Sequence, residues 1–271
     1  MDAIAQGKLA VITGGASGIG LAAARRFAAA GMKICLIDWS EEVAQVAAAI
    51  EGDVTGFRAD VADAQAVAAL AGEIHSRFGP ASLLMNNAGV GRGGDVLSNP
   101  EGWTRVLGVN LFGVLHGCQS FVPAMIASGA PGIVINTGSK QGITQPPGDT
   151  AYNVSKAGVK ALTEGLAHTL MQQTGSRVSA HLLIPGFTHT GMTSAGEKPP
   201  AAWTTDQVID FMLESLARGD FYILCPDNDV TRAMDEKRIA WAAGDIIENR
   251  PALSRWHPDW EARFAAYMAG K

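Results

Sequence analysis

The chain has 271 residues, with 21 Lys+Arg against 26 Asp+Glu, a formal net charge of −5, and 47% apolar against 17% charged residues. That composition is globular and excludes a disordered chain, and the length allows one large domain or two small ones. The mild acidity argues against nucleic acid or an anionic membrane as partner, because both call for a basic face.

Short apolar runs rich in β-formers alternate with Ala-rich helical stretches. Strands are predicted at Leu9–Thr13, Lys33–Asp38, 54–60, 82–87, Gly132–Thr137, 177–184 and 221–225. Helices are predicted at 18–30, 41–50, 63–78, 103–128, 152–173 and 204–218. Several strands are almost continuously apolar, as strands buried on both faces are. Such alternation predicts an α/β fold, a parallel sheet of about seven strands with helices on both faces. The strands are used up by Cys225, so residues 1–225 are expected to form one domain. Residues 226–271 read as a C-terminal extension, helical and then aromatic.

The first strand runs into Thr13-Gly14-Gly15-Ala16-Ser17-Gly18-Ile19-Gly20, and a helix follows at once. Glycines permit a sharp turn and a close backbone approach to a pyrophosphate, and the helix start offers N–H groups and the positive end of its dipole. An ordinary βα turn is the plain alternative. Asp38 ends the second strand, where a carboxylate can accept hydrogen bonds from ribose hydroxyls and repel a 2′-phosphate. That favours NAD over NADP, against the alternative of a helix-start Asp. Ala16, Ser17 and Trp39 offer no cation for a 2′-phosphate, although Arg25 and Arg26 are near in sequence.

Gly138-Ser139 follows the fifth strand, Tyr152 comes thirteen residues after Ser139, and Lys156 four after Tyr152. On a helix, positions four apart share a face. A tyrosine can act as a general acid–base near neutral pH only if its pKa falls from about 10 to about 7, roughly 4 kcal/mol. A cation at ~4 Å and an effective dielectric of ~20 supplies about that much, and desolvation of the phenolate opposes it. Ser139 would bond the substrate oxygen and steady developing charge. Tyr267 has the same spacing to Ser254 and Lys271, but that set follows no strand and ends at the last residue. The Ser139 set is preferred because a strand delivers Ser139 to the carboxyl edge of the sheet, where ligands bind in open α/β folds.

Thr13-Gly14-x-x-x-Gly18-x-Gly20, Asn86-Asn87-Ala88-Gly89, Asn110, Ser139, Tyr152-x-x-x-Lys156 and Pro185-Gly186 occur in that order. Over roughly residues 5–225 the chain resembles the short-chain dehydrogenase/reductase family. The resemblance implies a Rossmann-like doubly wound sheet, hydride transfer with a nicotinamide cofactor, and a homotetramer or homodimer. It implies a catalytic set of Asn110, Ser139, Tyr152 and Lys156. Tyr152 would be the acid–base, Lys156 would lower its pKa and bind the nicotinamide ribose, and Asn110 would hold a water for a proton relay. The cofactor would be lined by Gly14, Ser17, Gly18, Ile19, Gly20, Asp38, Asp60, Val61, Asn87, Ala88, Gly89, Tyr152, Lys156, Pro185, Gly186, Thr188 and Thr190. Lys140, directly after Ser139, departs from the usual pattern and would either tune the site or be a surface lysine.

Residues 187–218 read as a substrate-lid region, because Gly191, Gly196, Pro199 and Pro200 there accompany Phe187, Met192 and Trp203. Gln141, Phe187, Met192 and Trp203 are candidate substrate contacts, and an apolar lid suggests a hydrophobic or aromatic secondary alcohol or ketone. The six histidines show no metal-ligand spacing, so no metal is expected. Cys35, Cys118 and Cys225 are odd in number and far apart, and are predicted to be buried free thiols. Residues 1–8 lack signal-peptide character and no run approaches ~18 apolar residues, so a cytoplasmic protein without a membrane span is expected. The aromatics Trp256, Trp260, Phe264 and Tyr267 would dock on their own domain or across a subunit interface. The reading is thus an NAD-dependent oxidoreductase of small alcohols and ketones. An NADP-linked carbonyl reductase, an epimerase-like relative and a non-catalytic nicotinamide-binding sensor remain open.

Overall fold

Strand β1 (Leu9–Thr13) is buried at every residue, so it needs cover on both faces. It pairs in parallel with β2 (Lys33–Asp38) on one side and with β4 (Leu83–Asn86) on the other. With β3 (Val54–Arg58), β5 (Gly132–Thr137), β6 (Val178–Ile184) and β7 (Tyr222–Leu224), the order is β3-β2-β1-β4-β5-β6-β7, parallel throughout. This is the single-domain, Rossmann-like seven-stranded sheet expected from the sequence. The computed structural model describes residues 2–193 and 196–270, so residues 194 and 195 of the expected lid and Lys271 lie outside the described residues.

Helices cover the sheet on both sides. One apolar layer packs α1 (Gly18–Ala29), α2 (Val43–Ala48) and α8 (Thr205–Arg218) on one face, through Phe27, Val43, Val208 and Met212. The other packs α3 (Ala64–Phe78), α5 (Gly113–Ala127) and α7 (Thr150–Thr174), through Ile74, Phe121, Val159 and Leu170. Cys35, Cys118 and Cys225 are free and buried, and burial pushes each thiol up to about 12.

The structure departs from the sequence reading in places that matter for the site. The single helix expected at 103–128 begins as α4 (Pro100–Leu107), with Asn99 accepting from the Gly102 N–H at 3.0 Å. It then widens into one π-helical turn at Gly108–Phe112 before α5. Pro100–Ala127 is long and apolar enough to cross a membrane by length and composition, which the sequence reading overlooked. Its apolar face, with Val114, Phe121, Val122 and Met125, is packed against the sheet. A short helix, α6 (Gln141–Thr144), follows Ser139 where only a loop was expected. Helix α7 starts two residues early because Asp149 caps it.

The extension carries α9 (Arg232–Ile247) and ends in α10 (Glu261–Met268). Trp241 of α9 is buried and meets the rings of Trp260, Phe264 and Tyr267 at centroid distances of 6.3, 5.3 and 5.0 Å. The Arg250 guanidinium lies 4.4 Å from the Trp241 ring centre. The aromatic tail therefore closes on its own chain. Trp241 Nε1 donates to Ser254 Oγ at 2.8 Å, and Ser254 Oγ donates to Asp245 at 2.5 Å. Ser254 thus belongs to that packing, which disposes of the second Ser/Tyr set.

Phe121 has no exposed surface. Phe121→Ala should cost about 3–5 kcal/mol, read as a lowered urea midpoint with an unchanged slope.

Candidate active site

The order of strands reverses between β1 and β4, which opens a crevice at their carboxyl ends. Thr13 closes its floor, because its Oγ1 accepts from the Asn87 N–H at 3.0 Å and the Ala88 N–H at 3.2 Å. Two glycines are required here. Gly14 has φ +65°, and a Cβ on it would lie 2.7 Å from Ala88 Cα; a Cβ on Gly20 would lie 2.2 Å from the Gly14 carbonyl oxygen. The N–H groups of Gly18, Ile19 and Gly20 precede the first intrahelical bond of α1, Leu21 N–H to Ser17 O at 3.1 Å. No acidic residue sits in that first turn and the Ser17 hydroxyl makes no cap bond. The positive end of α1 is left for an anion.

Thr190 faces this loop from the far side, its Cγ2 3.4 Å from where a Gly18 Cβ would be. Asp38 is 7% exposed; one carboxylate oxygen accepts from the Ala16 N–H and the other from the Ser40 N–H, each at 3.0 Å. The carboxylate thus braces the glycine loop and the turn after β2, with lone pairs to spare. Asp38 stands opposite Arg58 in the sheet, and that guanidinium is 3.1 Å from Glu41. The sequence reading missed Arg58, because the strand pairing alone brings it beside Asp38. The near-sequence Arg26 is instead drawn to Asp210 of α8, at 2.5 Å. Asp60 accepts from the Ala62 N–H at 2.9 Å, a turn that ends β3 early, and Val61 behind it is buried.

Across the crevice, β5 delivers Ser139, and α7 delivers Tyr152 and Lys156. Ser139 is close enough to Tyr152 to act on its ionisation. Lys156 is 4% exposed; its Nζ donates to the Thr137 carbonyl at 2.8 Å and lies 5.7 Å from the centre of the Tyr152 ring. Gly89 comes close to both Lys156 Nζ and Asn110, since a Cβ there would be 3.7 and 3.5 Å away. A Cβ on Gly142 of α6 would strike the Lys156 backbone at 2.5 Å, so α6 lies flat on α7.

Burial dominates the ionisations. It holds the Tyr152 phenol above its ordinary value, with Ser139 pulling it down and the Asp149 charge adding to the rise. It pushes Lys156 down to about 8. In the protein alone, desolvation sets the direction of the Tyr152 shift.

Other candidates take different places. The Asn110 side chain is engaged at both ends: Oδ1 accepts from the Val90 N–H at 2.8 Å, and Nδ2 donates to Val90 O at 2.9 Å and Ser155 Oγ at 3.1 Å. It clamps Val90, at the start of the 90–95 loop, to α7. Asn87 Nδ2 donates to Gly14 O at 3.3 Å, and its Oδ1 accepts from Thr137 Oγ1 at 3.3 Å; it braces the loop. Ala88 abuts Gly14.

Trp203 is half-buried and packs edge-on to Phe211 at 5.9 Å, against the core under α8. Its N–H donates to Phe187 O at 2.9 Å, and its carbonyl accepts from the His189 N–H at 2.8 Å. It therefore anchors the chain at Phe187–His189. Phe187, Met192 and Gln141 remain exposed. Pro185 and Gly186 follow β6, and Thr188 is buried with Oγ1 donating to Gly186 O at 3.2 Å.

Asp149 was not foreseen. Its carboxylate accepts the N–H groups of Arg92 at 2.8 Å, Gly93 at 3.1 Å, Gly94 at 3.2 Å and Tyr152 at 3.3 Å. It ties the start of the catalytic helix to the 90–95 loop. Its position as an Asp before a helix was the available signal. Among the described residues no group of three His, Cys, Asp or Glu is arranged for a metal ion. A groove of about 430 Å³ between α3 and α5, lined by His75 and His116, shares no residue with this site.

The family model for short chain dehydrogenase matches residues 8–200. The chain belongs to the short-chain dehydrogenase family. Among its relatives, galactitol 2-dehydrogenase (L-tagatose-forming) of Cereibacter sphaeroides is 36% identical over 204 residues, 73% of this chain and 78% of that protein. A short chain dehydrogenase/reductase from Burkholderia phymatum, solved in complex with NAD, superposes with a TM-score of 0.81 at 33% identity, over 90% of this chain and 96% of that one. A metagenomic short-chain oxidoreductase solved with NADP superposes with a TM-score of 0.68 at 29% identity, over 82% of this chain and 98% of that one. As a short-chain dehydrogenase the chain takes a nicotinamide cofactor, and both forms occur among these structures.

A lysine depressed by burial weakens the fold at neutral pH. Below pH 8 Lys156 is charged in both folded and unfolded states, and the full penalty applies. Between about 8 and 10.5 only the unfolded chain keeps the proton, so stability rises with pH. Lys156→Met should therefore stabilise the unliganded protein at pH 7 by about 1–3 kcal/mol, after loss of the Thr137 bond. That gain should shrink through the same window, as read by denaturant melts at several pH values.

Proposed function

We propose that this short-chain dehydrogenase is an NAD-dependent oxidoreductase that interconverts a secondary alcohol and its ketone. The observation that carries the reading is the convergence of Ser139, Tyr152 and buried Lys156 at the carboxyl edge of β5, facing the glycine loop. The nicotinamide, when bound, supplies or accepts the hydride. Gly14, Ser17, Gly18, Ile19 and Gly20 would hold its pyrophosphate, and Asp38 its adenosine ribose. Asp60 and Val61 would meet the adenine, and Gly89, Pro185, Gly186, Thr188 and Thr190 would line the nicotinamide half.

Ser139 and Tyr152 both address the substrate oxygen. In oxidation Tyr152 Oη takes the alcohol proton, and in reduction it returns that proton to the carbonyl oxygen. Lys156 keeps a cation beside the phenolate form. A low-dielectric site makes that charge effective once water is excluded. Main-chain groups at Asn110 would hold the water that exchanges the proton with solvent.

The lid exposes Phe187 and Met192, which supports a hydrophobic or aromatic substrate. Two nearby cations are committed elsewhere. Lys140 is paired with Asp227 and Asp235, and Lys198 donates to Ala202 O at 2.8 Å and Pro199 O at 3.3 Å. Neither invites a substrate carboxylate. The relative that acts on galactitol supports a secondary hydroxyl as the reacting group.

Tyr152→Phe should lower kcat by about 10²–10⁴-fold while NADH still quenches protein fluorescence. Turnover near the wild-type rate would overturn the mechanism, and NADH binding without oxidation of any alcohol in a broad panel would favour a sensor. Arg58 beside Asp38 supports a second reading, NADP as cofactor. Measured kcat/KM should favour NAD over NADP. Asp38→Asn should shrink that preference at least tenfold, about 1.4 kcal/mol. A wild-type preference for NADP would transfer the role to Arg58.

A further inference from the structure

Helix α9 of the extension comes within contact of α6, the helix directly after Ser139, and the link between them is ionic. Lys140, the next residue after Ser139, places its Nζ 2.6 Å from Asp235 Oδ2 on α9 and 3.3 Å from Asp227 Oδ2 in the loop after β7. The lysine side chain is 18% exposed and each carboxylate 5%.

Asp227 does more than pair with Lys140. Its Oδ2 also accepts the Phe187 N–H at 3.1 Å, and its Oδ1 accepts those of Val230 at 2.8 Å and Asp229 at 3.2 Å. Gly186 is pressed against the pair, since a Cβ there would lie 2.7 Å from Asp227 Oδ2 and 2.9 Å from Lys140 Nζ. One carboxylate thus holds two site-bordering turns at fixed spacing: the one after β5, with Ser139, and the one after β6, with Pro185, Gly186 and Thr188.

We propose that Asp227 is a positioning residue that, with Asp235 acting through Lys140, makes the C-terminal extension part of the active site. This rests on the nicotinamide-dependent reading above. Buried ions tolerate little displacement from their partners, because an uncompensated buried charge is costly. The ammonium is therefore locked, and with it the backbone that aims Ser139 at Tyr152. The same charges are poor general stabilisers, since apolar packing can replace a buried pair without loss. Their use here matches a demand for geometry. The groups facing the cluster are Arg238 of α9 and Arg255 of the following turn, which also line a small cavity of about 50 Å³ over Ile143 and Thr144.

The experiment compares the full-length wild type with Asp227→Asn, Lys140→Met, Lys140→Arg and the Asp227→Asn/Lys140→Met double variant. Amide exchange is first read without cofactor. Asp227→Asn should speed exchange in residues 139–142 and 186–190 by about tenfold or more relative to the β1–β4 core. Equal protection in both proteins overturns the proposal whatever the function.

With NADH and a turned-over alcohol, Asp227→Asn should raise the NADH Kd about fivefold and lower kcat about tenfold. The double variant should be no worse than the poorer single one, as members of one network are non-additive. Lys140→Arg should recover most of the activity lost in Lys140→Met, because the guanidinium keeps the charge. A lower Tm with Kd and kcat within twofold of wild type would show a purely structural role and overturn the proposal. A wild type that binds neither NADH nor NADPH would overturn the functional reading, and would be seen apart from the exchange result. Should Asp227→Asn fail to fold, the Lys140→Met and Lys140→Arg pair decides on the same readouts.

Discussion

The molecule is organised around a cation that has almost no contact with water. Lys156 sits on the inner face of α7 with burial driving its pKa down, and its Nζ donates to the Thr137 carbonyl at the end of β5. Such a group is unfavourable to fold. Its surroundings are arranged to hold it: Gly89 leaves room at the end of β4, Gly142 lets α6 lie on the Lys156 backbone, and Tyr152 is one helical turn away. A buried ammonium beside a buried phenol stores electrostatic potential that a substrate oxygen can use, and which bulk water would otherwise screen.

The second constraint is the closeness of backbones at the β1–β4 crevice. Gly14 and Gly20 are glycines because other chain atoms already occupy the space a Cβ would need. The side chains of Thr13, Asn87 and Asp38 serve the loop itself through main-chain bonds. Several residues that resemble ligand contacts in the sequence thus shape the loop first. What they leave toward the ligand is backbone N–H and the start of α1.

The third is the joining of loops across the sheet edge by single carboxylates. Asp149 gathers four N–H groups from the 90–95 loop and α7, and Asp227 gathers three together with an ammonium. Each is an acid at the start of a connection that binds chain far away in sequence. Charge-assisted bonds to backbone N–H are strong and directional, so these residues set loop positions that apolar packing would leave loose.

The alternation of apolar runs and Ala-rich helices was sufficient for the α/β class, for the seven strands and for both helical layers, because strand and helix periods are local properties. The glycine loop, Asp38, Ser139, Tyr152 and Lys156 were legible too, since each is defined by neighbours or by helical spacing. Folding decided the rest. The strand order set Arg58 beside Asp38 and β7 beside β6. The packing of α8 set Trp203 edge-on against Phe211. The widened turn at Gly108–Phe112 turned Asn110 to the 90–95 loop. Desolvation, which depends on what covers a side chain and not on its neighbours in sequence, holds the Tyr152 phenol high in the protein without cofactor. The extension, read by composition as an aromatic tail, acquired its place only when Lys140 met two aspartates separated from it by most of two βα units. Short-range periodicity and spacing are written in the chain itself, whereas burial and long-range charge pairing exist only once the chain is closed.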